Sequence, residues 1–130
     1  MPLDSLAAID RAVRTGWSRD TCDPVDRPDW SPANPALGQC GVTALVLWEL
    51  LGGELLLAPV VRADGSRQGV HYWNRLAAGI EVDLTREQFT AGERVGEPAA
   101  VAVPPGPPTR LATEHTLLRR RVRDSLGLAG

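Results

Sequence analysis

The first part of the chain carries apolar residues at the spacing of an α-helix. Leu6, Ile9 and Val13 follow one another at intervals of three and four residues, so one side of a helix here would be apolar and the other polar. The pattern predicts an N-terminal helix over residues 4–16 that ends at Gly16, because glycine is common at the end of a helix. We expect this helix to cover a hydrophobic core.

A second helical segment, CGVTALVLWELLGG, is apolar on almost every side. It follows a proline-rich stretch, and should begin near Gln39 or Cys40 and end at Gly52 or Gly53. A helix without a polar face is usually buried. We therefore expect this helix to lie at the centre of the domain.

The segment between these two helices, SRDTCDPVDRPDWSPANPALGQ, has several prolines and no apolar periodicity. It predicts a long ordered loop or a flexible lid. Loops of this length are uncommon inside small domains and often carry function. The segment is thus a weak indication that a site lies nearby.

Strand patterns follow the buried helix. ELLLAPVV predicts one strand, and VHYWNRL and GIEVDLT predict two more that form a hairpin through the short connection at residues 77–79. AAVAVPPGPP predicts a short strand before a proline-rich connector. The last predicted element is a helix over residues 109–126. Its apolar side would be formed by Leu111, Leu118, Val122 and Leu126.

This order of elements predicts an α+β fold with a small antiparallel sheet. A chain of 130 residues is long enough for one hydrophobic core and too short for two independent ones. We expect a single domain over residues 1–130, with its core at about residues 30–103.

Composition and charge argue against several classes of protein. The hydrophobic fraction of 43% and the charged fraction of 23% are typical of folded soluble proteins. The 14 basic residues, all arginine, are outnumbered by 16 acidic ones, so nucleic-acid binding by the RRRVR cluster of the last helix is the weaker alternative. Polar residues and glycines interrupt the longest apolar stretch, around residues 42–57, and no signal-peptide pattern precedes it. We expect a cytoplasmic protein that binds neither nucleic acid nor membrane.

The chain contains two cysteines, Cys22 and Cys40, and two histidines. Without an export signal the cysteines are expected to be free thiols, with a regulatory disulfide as the lesser alternative. No CxxC or HExxH spacing is present, so we expect no metal and no other cofactor. Cys22 lies in a polar loop and is expected to have no specific role. His115 lies in the arginine-rich last helix and is expected to be exposed.

Cys40 is the candidate nucleophile. The thiolate is the reactive form of cysteine, and the free N–H groups and the dipole at the start of a helix lower the pKa of a thiol. For an isolated cysteine the alternative, a small buried hydrophobic residue, is the more common case. A nucleophilic cysteine also needs a base, and the base needs an acceptor that orients it. Whether Cys40 is a nucleophile or a small buried residue therefore depends on whether the hairpin supplies a base and its acceptor.

His71 and Asp83 are the candidate base and the candidate orienting carboxylate. If the hairpin pairs Leu76 with Ile80, Trp73 faces Asp83, and His71 becomes a diagonal neighbour of Asp83 on the same face of the sheet. Diagonal neighbours can be joined by long side chains. A shift of one residue in register would move Asp83 to the other face and separate the pair.

Four further residues are candidates for oxyanion or substrate binding. The side chain of Gln39 or Trp30 could donate to a reacting carbonyl oxygen together with the N–H of Cys40. Trp30 and Trp73 could also line a cleft. Asn74 is the second choice as acceptor for the histidine, although on a regular strand it should point to the opposite side.

The blocks GQCGVTALVLWELLGGEL, HYWNRL and GIEVDLTREQF resemble the YunG-like family of small bacterial proteins over most of residues 30–90. More distantly, the order Cys, His, Asp, with the first residue on a helix and the others on neighbouring strands, resembles the transglutaminase-like branch of the papain-like cysteine enzymes. This second resemblance implies a papain-like/transglutaminase-like fold. It also implies that Cys40 is the nucleophile, His71 the general base and acid, and Asp83 the orienting carboxylate.

The expected function is that of a cysteine-dependent acyl-transfer enzyme, an amidase, a peptidase or a transglutaminase-like transferase, which acts through a thioester on a small molecule or a peptide. The chain departs from that pattern because it is shorter than typical proteases of this fold and lacks a glutamine several residues before the cysteine. The alternative is a non-catalytic binding or accessory domain that retains the cleft.

Overall fold

A computed structural model describes residues 6–89, 92–101 and 111–128. The helices are α1 (Leu6–Gly16), α2 (Cys40–Leu51) and α3 (Ala112–Ser125). The strands are β1 (Glu54–Val61), β2 (Arg67–Arg75), β3 (Glu81–Val82), β4 (Arg94–Val95) and β5 (Ala99–Val101). Short 3₁₀ turns lie at Arg19–Thr21, Arg27–Asp29, Ala77–Gly79 and Arg86–Gln88.

The helices agree with the sequence pattern at the ends that the structure describes. α1 ends at Gly16 and α2 begins at Cys40, as predicted. The predicted starts of the first and last helices, at residues 4 and 109, lie outside the described residues. α2 contacts β2, α3 and β1, which confirms the prediction of a central helix. Its buried residues are Val42, Thr43, Ala44, Val46 and Leu47.

The strands form one antiparallel sheet in the order β3-β2-β1-β4, with β5 also paired to β1. The predicted α+β class is therefore correct at this level. β3 is only two residues long and pairs Val82 with Asn74. The N–H of Leu76 donates to the carbonyl of Ile80 at 2.7 Å, so the hairpin has the predicted register.

The two faces of the sheet have different surroundings. Asn74 on β2 is buried and its Nδ2 donates to the carbonyl of Ala44 on α2 at 2.9 Å, so this face packs on the helices. Trp73 faces the other side, because successive side chains of a strand alternate. It packs there in a small cluster with Leu56 and Ala58. The main core lies among the helices and includes Ile9, Val13, Trp17, Val42, Val46, Leu47, Leu118 and Val122.

None of the helices in the described part of the chain is both long enough and apolar enough to cross a membrane.

The loop between α1 and α2 is ordered by hydrogen bonds, so of the two predictions for this segment the ordered loop is observed. At its start, Trp17 Nε1 donates to Thr43 Oγ1 on α2 at 2.9 Å. In its middle, Arg27 pairs with the Glu114 carboxylate on α3 at 2.9 Å. The loop is thus attached to both helices that flank the core.

Cys22 packs beneath the end of this loop, where the chain turns into α2. It is fully buried and its thiol donates to the carbonyl of Leu37 at 3.3 Å. Gly38 adopts a φ of +71°, and a Cβ there would lie 2.5 Å from the Cys22 sulfur. The expectation that Cys22 has no specific role is therefore wrong. Both cysteines are free thiols, so the alternative of a disulfide is not observed.

Gly38→Ala is expected to lower the free energy of unfolding by about 1–3 kcal/mol, because the new methyl group meets the Cys22 sulfur and the backbone is left-handed. Gly65→Ala is the matched control, since Gly65 has a φ of +87° with open space around its Cα. Urea denaturation followed by circular dichroism measures both. Equal losses in the two variants would show that the contact with Cys22 does not matter.

Candidate functional site

Cys40 lies at the open edge of β2, where α2 begins. The backbone N–H groups of Tyr72 and Gly41 both hydrogen-bond to its sulfur. Alternate N–H groups of a strand point the same way, so the Tyr72 N–H points toward the side of β2 that β3 occupies. β3 ends before it reaches this residue. The Cys40 sulfur therefore takes the place of a strand partner at Tyr72.

Burial raises the pKa of the Cys40 thiol to about 11, although the hydrogen bonds from the N–H groups of Tyr72 and Gly41 act to lower it. The Asp83 carboxylate raises the pKa further. The expectation that the helix start lowers this pKa is wrong in its net effect, because loss of solvation outweighs the backbone dipoles. At neutral pH the sulfur is a thiol, and it needs a base to become a nucleophile.

His71 and Asp83 are joined by a hydrogen bond of 2.7 Å between Nε2 and Oδ2. This contact follows from the hairpin register, which places them diagonally on one face. His71 is fully buried, and its Nδ1 has no hydrogen-bond partner among the described residues. A neutral imidazole that donates from Nε2 keeps its lone pair on Nδ1. Nδ1 is therefore the atom of His71 that can accept a proton.

Asp83 is a carboxylate at neutral pH. Its Oδ2 also accepts a hydrogen bond of 2.6 Å from Nε of Arg86. Burial acts to raise the pKa of Asp83, but the hydrogen bonds and charges of His71 and Arg86 outweigh burial, so that the pKa is lowered. Its Oδ1 is buried and has no hydrogen-bond partner within the described ranges. Asp83 can therefore hold the imidazole in one orientation.

Two aromatic rings hold the imidazole from its sides. The ring of Trp73 is stacked on His71, with centroids 5.3 Å apart and planes at 20°. The ring of Phe89 meets it edge-on, with centroids 4.8 Å apart and planes at 83°. Trp73 is itself held by a hydrogen bond of 2.8 Å from Nε1 to Glu81 Oε1. The position of His71 is thus set by packing as well as by Asp83.

Of the three residues predicted to form the site, His71 and Asp83 are in direct contact, and Cys40 is linked to them through Tyr72 and through the charge of Asp83. Asp83 bonds to the His71 ring, and its charge acts on the Cys40 thiol. The residue after His71 on the strand, Tyr72, donates its N–H to the Cys40 sulfur. A thiol, an imidazole and a carboxylate are the groups that acyl transfer through a cysteine requires.

Gln39 is not placed as an oxyanion donor. Its side chain is fully buried. Nε2 donates to the carbonyl of Ser18 at 3.0 Å, and Oε1 accepts from the hydroxyl of Thr21 at 2.8 Å. These bonds attach the start of α2 to the loop. The oxyanion role expected of this side chain is therefore contradicted, because helix geometry turns it away from Cys40 and into the interior.

The candidates Trp30 and Asn74 also form hydrogen bonds elsewhere. Trp30 is partly exposed, and its Nε1 donates to the carbonyl of Pro35 within the same loop at 3.1 Å. Asn74 faces α2, on the side opposite His71, as strand alternation predicted. It is therefore not the acceptor for the histidine.

Sequence reasoning missed Arg86, Phe89 and Gln88. Gln88 is buried, and its Oε1 accepts from the N–H of Gly38 at 3.3 Å while its Nε2 donates to the carbonyl of Thr85 at 3.1 Å. Only Arg86 had a local signal, because it lies three residues after Asp83, a spacing at which oppositely charged side chains can pair in a helical turn. The contacts of Phe89 and Gln88 depend on tertiary structure.

His115 is buried, and the expectation that it is exposed is wrong. Its Nε2 lies 2.9 Å from Oε1 of Glu49 on α2. His115 precedes Leu118 and Val122 by three and seven residues, so it lies on the apolar side of α3. Within the described ranges, no group of three or more His, Cys, Asp or Glu residues is arranged to hold a metal ion.

Known proteins resemble this chain at the family level. The profile of the YunG protein family matches residues 5–127. A protein of Bacillus subtilis (strain 168) described as "Uncharacterized protein YunG" is 35% identical over 79 residues, which are 61% of this chain and 58% of that protein. No solved structure matches the chain, so the papain-like part of the fold stays a prediction. Because the family profile covers nearly its whole length, the chain belongs to the YunG family.

Proposed function

We propose that this protein is a cysteine-dependent acyl-transfer enzyme with a papain-like or transglutaminase-like site. One observation carries the proposal. The hydrogen bond of 2.7 Å between His71 Nε2 and Asp83 Oδ2 leaves Nδ1 unpaired among the described residues, beside the strand position that holds the Cys40 sulfur. An imidazole that a carboxylate orients through one nitrogen, with the other nitrogen unpaired, is suited to act as a general base.

In the first step, the Cys40 thiol gives its proton to His71 Nδ1 while the sulfur forms a bond to the carbonyl carbon of the substrate. The carbonyl π electrons move to the oxygen and give a tetrahedral intermediate. When it collapses, the bond to the leaving group breaks, and His71 returns the proton to that group. Water or an amine then attacks the thioester, His71 takes its proton, and the thiol is restored.

Backbone N–H groups supply the electrostatic stabilisation. Those of Tyr72 and Gly41 already donate to the Cys40 sulfur, where they stabilise negative charge as it develops. The N–H of Cys40 belongs to the first turn of α2, where N–H groups have no acceptor within the helix. We assign the oxyanion to this N–H, in place of the side chains that the sequence suggested.

The proposed substrate is a small molecule or a short peptide with an amide, ester or thioester bond. The burial of the site favours a small acyl group, because Cys40 is half-buried and His71 is fully buried.

A non-catalytic binding domain that retains the cleft is the second proposal. The pKa of about 11 for the Cys40 thiol favours it, since a thiol with so high a pKa reacts slowly unless a base removes its proton. The two proposals differ in one respect. Only the enzyme needs His71 to make Cys40 reactive toward an acyl donor near neutral pH.

Iodoacetamide is expected to label the native protein once, at Cys40, because Cys22 is fully buried and burial raises the pKa of its thiol to about 12. Intact-protein mass spectrometry should show loss of the label in Cys40→Ala and an unchanged label in Cys22→Ala. The rate should rise about tenfold per pH unit above neutrality, because the thiolate is the reactive form. Equal labelling of Cys40→Ala would refute the assignment of the reactive thiol.

p-Nitrophenyl acetate separates the two proposed functions. The enzyme is expected to form an acetyl thioester at Cys40 and to release nitrophenol repeatedly at neutral pH. His71→Gln should abolish this turnover, yet leave alkylation of Cys40 at high pH within a few-fold of the native rate. A native protein that forms no thioester, or that reacts equally well without His71, would support the binding domain instead.

Asp83→Asn is expected to lower the free energy of unfolding at neutral pH by about 1–3 kcal/mol, because His71 and Arg86 lose a charged partner. The folded-state pKa of Asp83 lies below the ordinary value of 3.8, so its stabilisation is present above that value and is lost as the pH falls through the folded-state pKa. The native protein should therefore lose more stability between pH 7 and about pH 3 than the variant does.

Urea denaturation at the two pH values measures this difference. Glu54→Gln is the control, because Glu54 forms an exposed pair with Arg75 that should contribute little at either pH. A native protein and an Asp83→Asn variant with the same acid sensitivity would contradict the assigned charge state.

A further inference from the structure

Arg86 lies beside the proposed site and takes no part in the proposed mechanism. We propose that Arg86 is a positioning residue: it holds Asp83 and Trp73 around His71, and it limits how strongly the Asp83 charge favours the protonated imidazole. The catalytic meaning of this proposal rests on the proposed function. The arrangement itself can be tested without any turnover.

Three contacts carry the inference. Arg86 Nε donates to Asp83 Oδ2 at 2.6 Å, and the same oxygen lies 2.7 Å from His71 Nε2. The guanidinium carbon lies 5.2 Å from the centre of the Trp73 ring. That ring is stacked on the imidazole, at 5.3 Å between centroids. Arg86 therefore contacts both the acceptor and one of the aromatic rings that hold His71.

The local chain geometry explains how one side chain reaches both groups. Arg86 begins the 3₁₀ turn Arg86–Gln88, three residues after Asp83. Side chains three residues apart lie on the same side of a tight turn. Asp83 also follows the end of β3 directly, opposite Trp73 in the hairpin register. The Arg86 guanidinium thus contacts both Asp83 and Trp73, and each of these two residues contacts His71.

The charge of Arg86 matters as much as its contacts. A lone carboxylate beside an imidazole stabilises the protonated ring. A ring that holds its proton too strongly would return it slowly to a leaving group and would be unavailable as a base near neutral pH. Arg86 offsets part of the Asp83 charge. Its side chain is 51% exposed, so solvent weakens this effect without removing it.

Other titratable groups face this region from the neighbouring elements. Cys40 approaches from α2, Glu81 on β3 accepts from Trp73 Nε1, and Asp23 in the loop acts on the Cys40 thiol. Among the described residues, the hydrogen-bond partner of the imidazole is Asp83. A change at Arg86 therefore reaches His71 through Asp83 and Trp73.

The test is an NMR titration of the His71 imidazole in the Cys40→Ala background, where no acyl chemistry occurs. The His115→Gln variant assigns the two histidine signals. Arg86→Gln removes the charge, Arg86→Lys retains it, and Arg86→Met keeps an apolar stem over Trp73 in case the glutamine variant does not fold. Arg75→Gln is the matched control, because Arg75 also pairs with a carboxylate at the surface.

In Arg86→Gln and Arg86→Met the titration midpoint of His71 is expected to move to higher pH by about half a unit or more, because the Asp83 charge is no longer offset. Arg86→Lys should stay near the native midpoint, and Arg75→Gln should not change it. If Arg86 had a purely structural role, the midpoint would not differ between the charged variant, Arg86→Lys, and the uncharged ones. An unchanged or lowered midpoint in Arg86→Gln overturns the proposal.

The same variants in the Cys40-containing protein separate this inference from the proposed function. The pH dependence of acetylation by p-nitrophenyl acetate should move upward with the His71 midpoint. If the midpoint moves and no acetylation occurs in the native protein, the proposed function fails and the positioning role stands. If acetylation occurs and the midpoint does not move, the positioning role fails.

Discussion

The hydrogen bond between His71 and Asp83 depends on the register of one short hairpin. Its 2.7 Å contact exists because Leu76 pairs with Ile80, so that Asp83 lies diagonally from the imidazole on the same face. A slip of one residue would put the carboxylate on the other side of the sheet. β3 pairs with β2 through only two residues, and this shortness leaves the Tyr72 N–H free to bond the Cys40 sulfur. One hairpin thus positions the imidazole of His71, its acceptor Asp83 and the N–H that faces the Cys40 sulfur.

Burial and the helix start act on Cys40 in opposite directions. Two N–H groups stabilise a thiolate, yet loss of solvent dominates and raises the pKa to about 11. Because of this raised pKa, the proposed mechanism needs a base, whereas a thiolate formed by the helix alone would not. In the proposed mechanism, the protonated sulfur would therefore transfer its proton to the unpaired Nδ1 as it attacks the substrate. His71 is fully buried, so its ring is oriented by Asp83 and by the packed rings of Trp73 and Phe89.

The parts of the fold that depend on local pattern could be predicted from the sequence. Glycine and proline marked the ends of α2, and the three-residue connection determined the hairpin register, hence the face that carries His71 and Asp83. The two errors, at Gln39 and His115, have different causes. Gln39 is adjacent to Cys40 in sequence, but the start of a helix turns the two side chains in different directions. The burial of His115 could have been predicted, since it shares the apolar side of α3 with Leu118. The neighbouring arginines led to the wrong expectation that it is exposed.

Gln88, which no local pattern indicated, links the start of α2 to the turn after β3. Its side chain accepts from the N–H of Gly38, two residues before Cys40, and donates to the carbonyl of Thr85, two residues after Asp83. Its backbone carbonyl accepts from the Asn34 side chain at 3.2 Å. Because all three partners are buried or partly buried, these bonds cannot be exchanged for water without cost. A buried amide thus joins the segment that leads into α2, and so to Cys40, to the turn that follows Asp83.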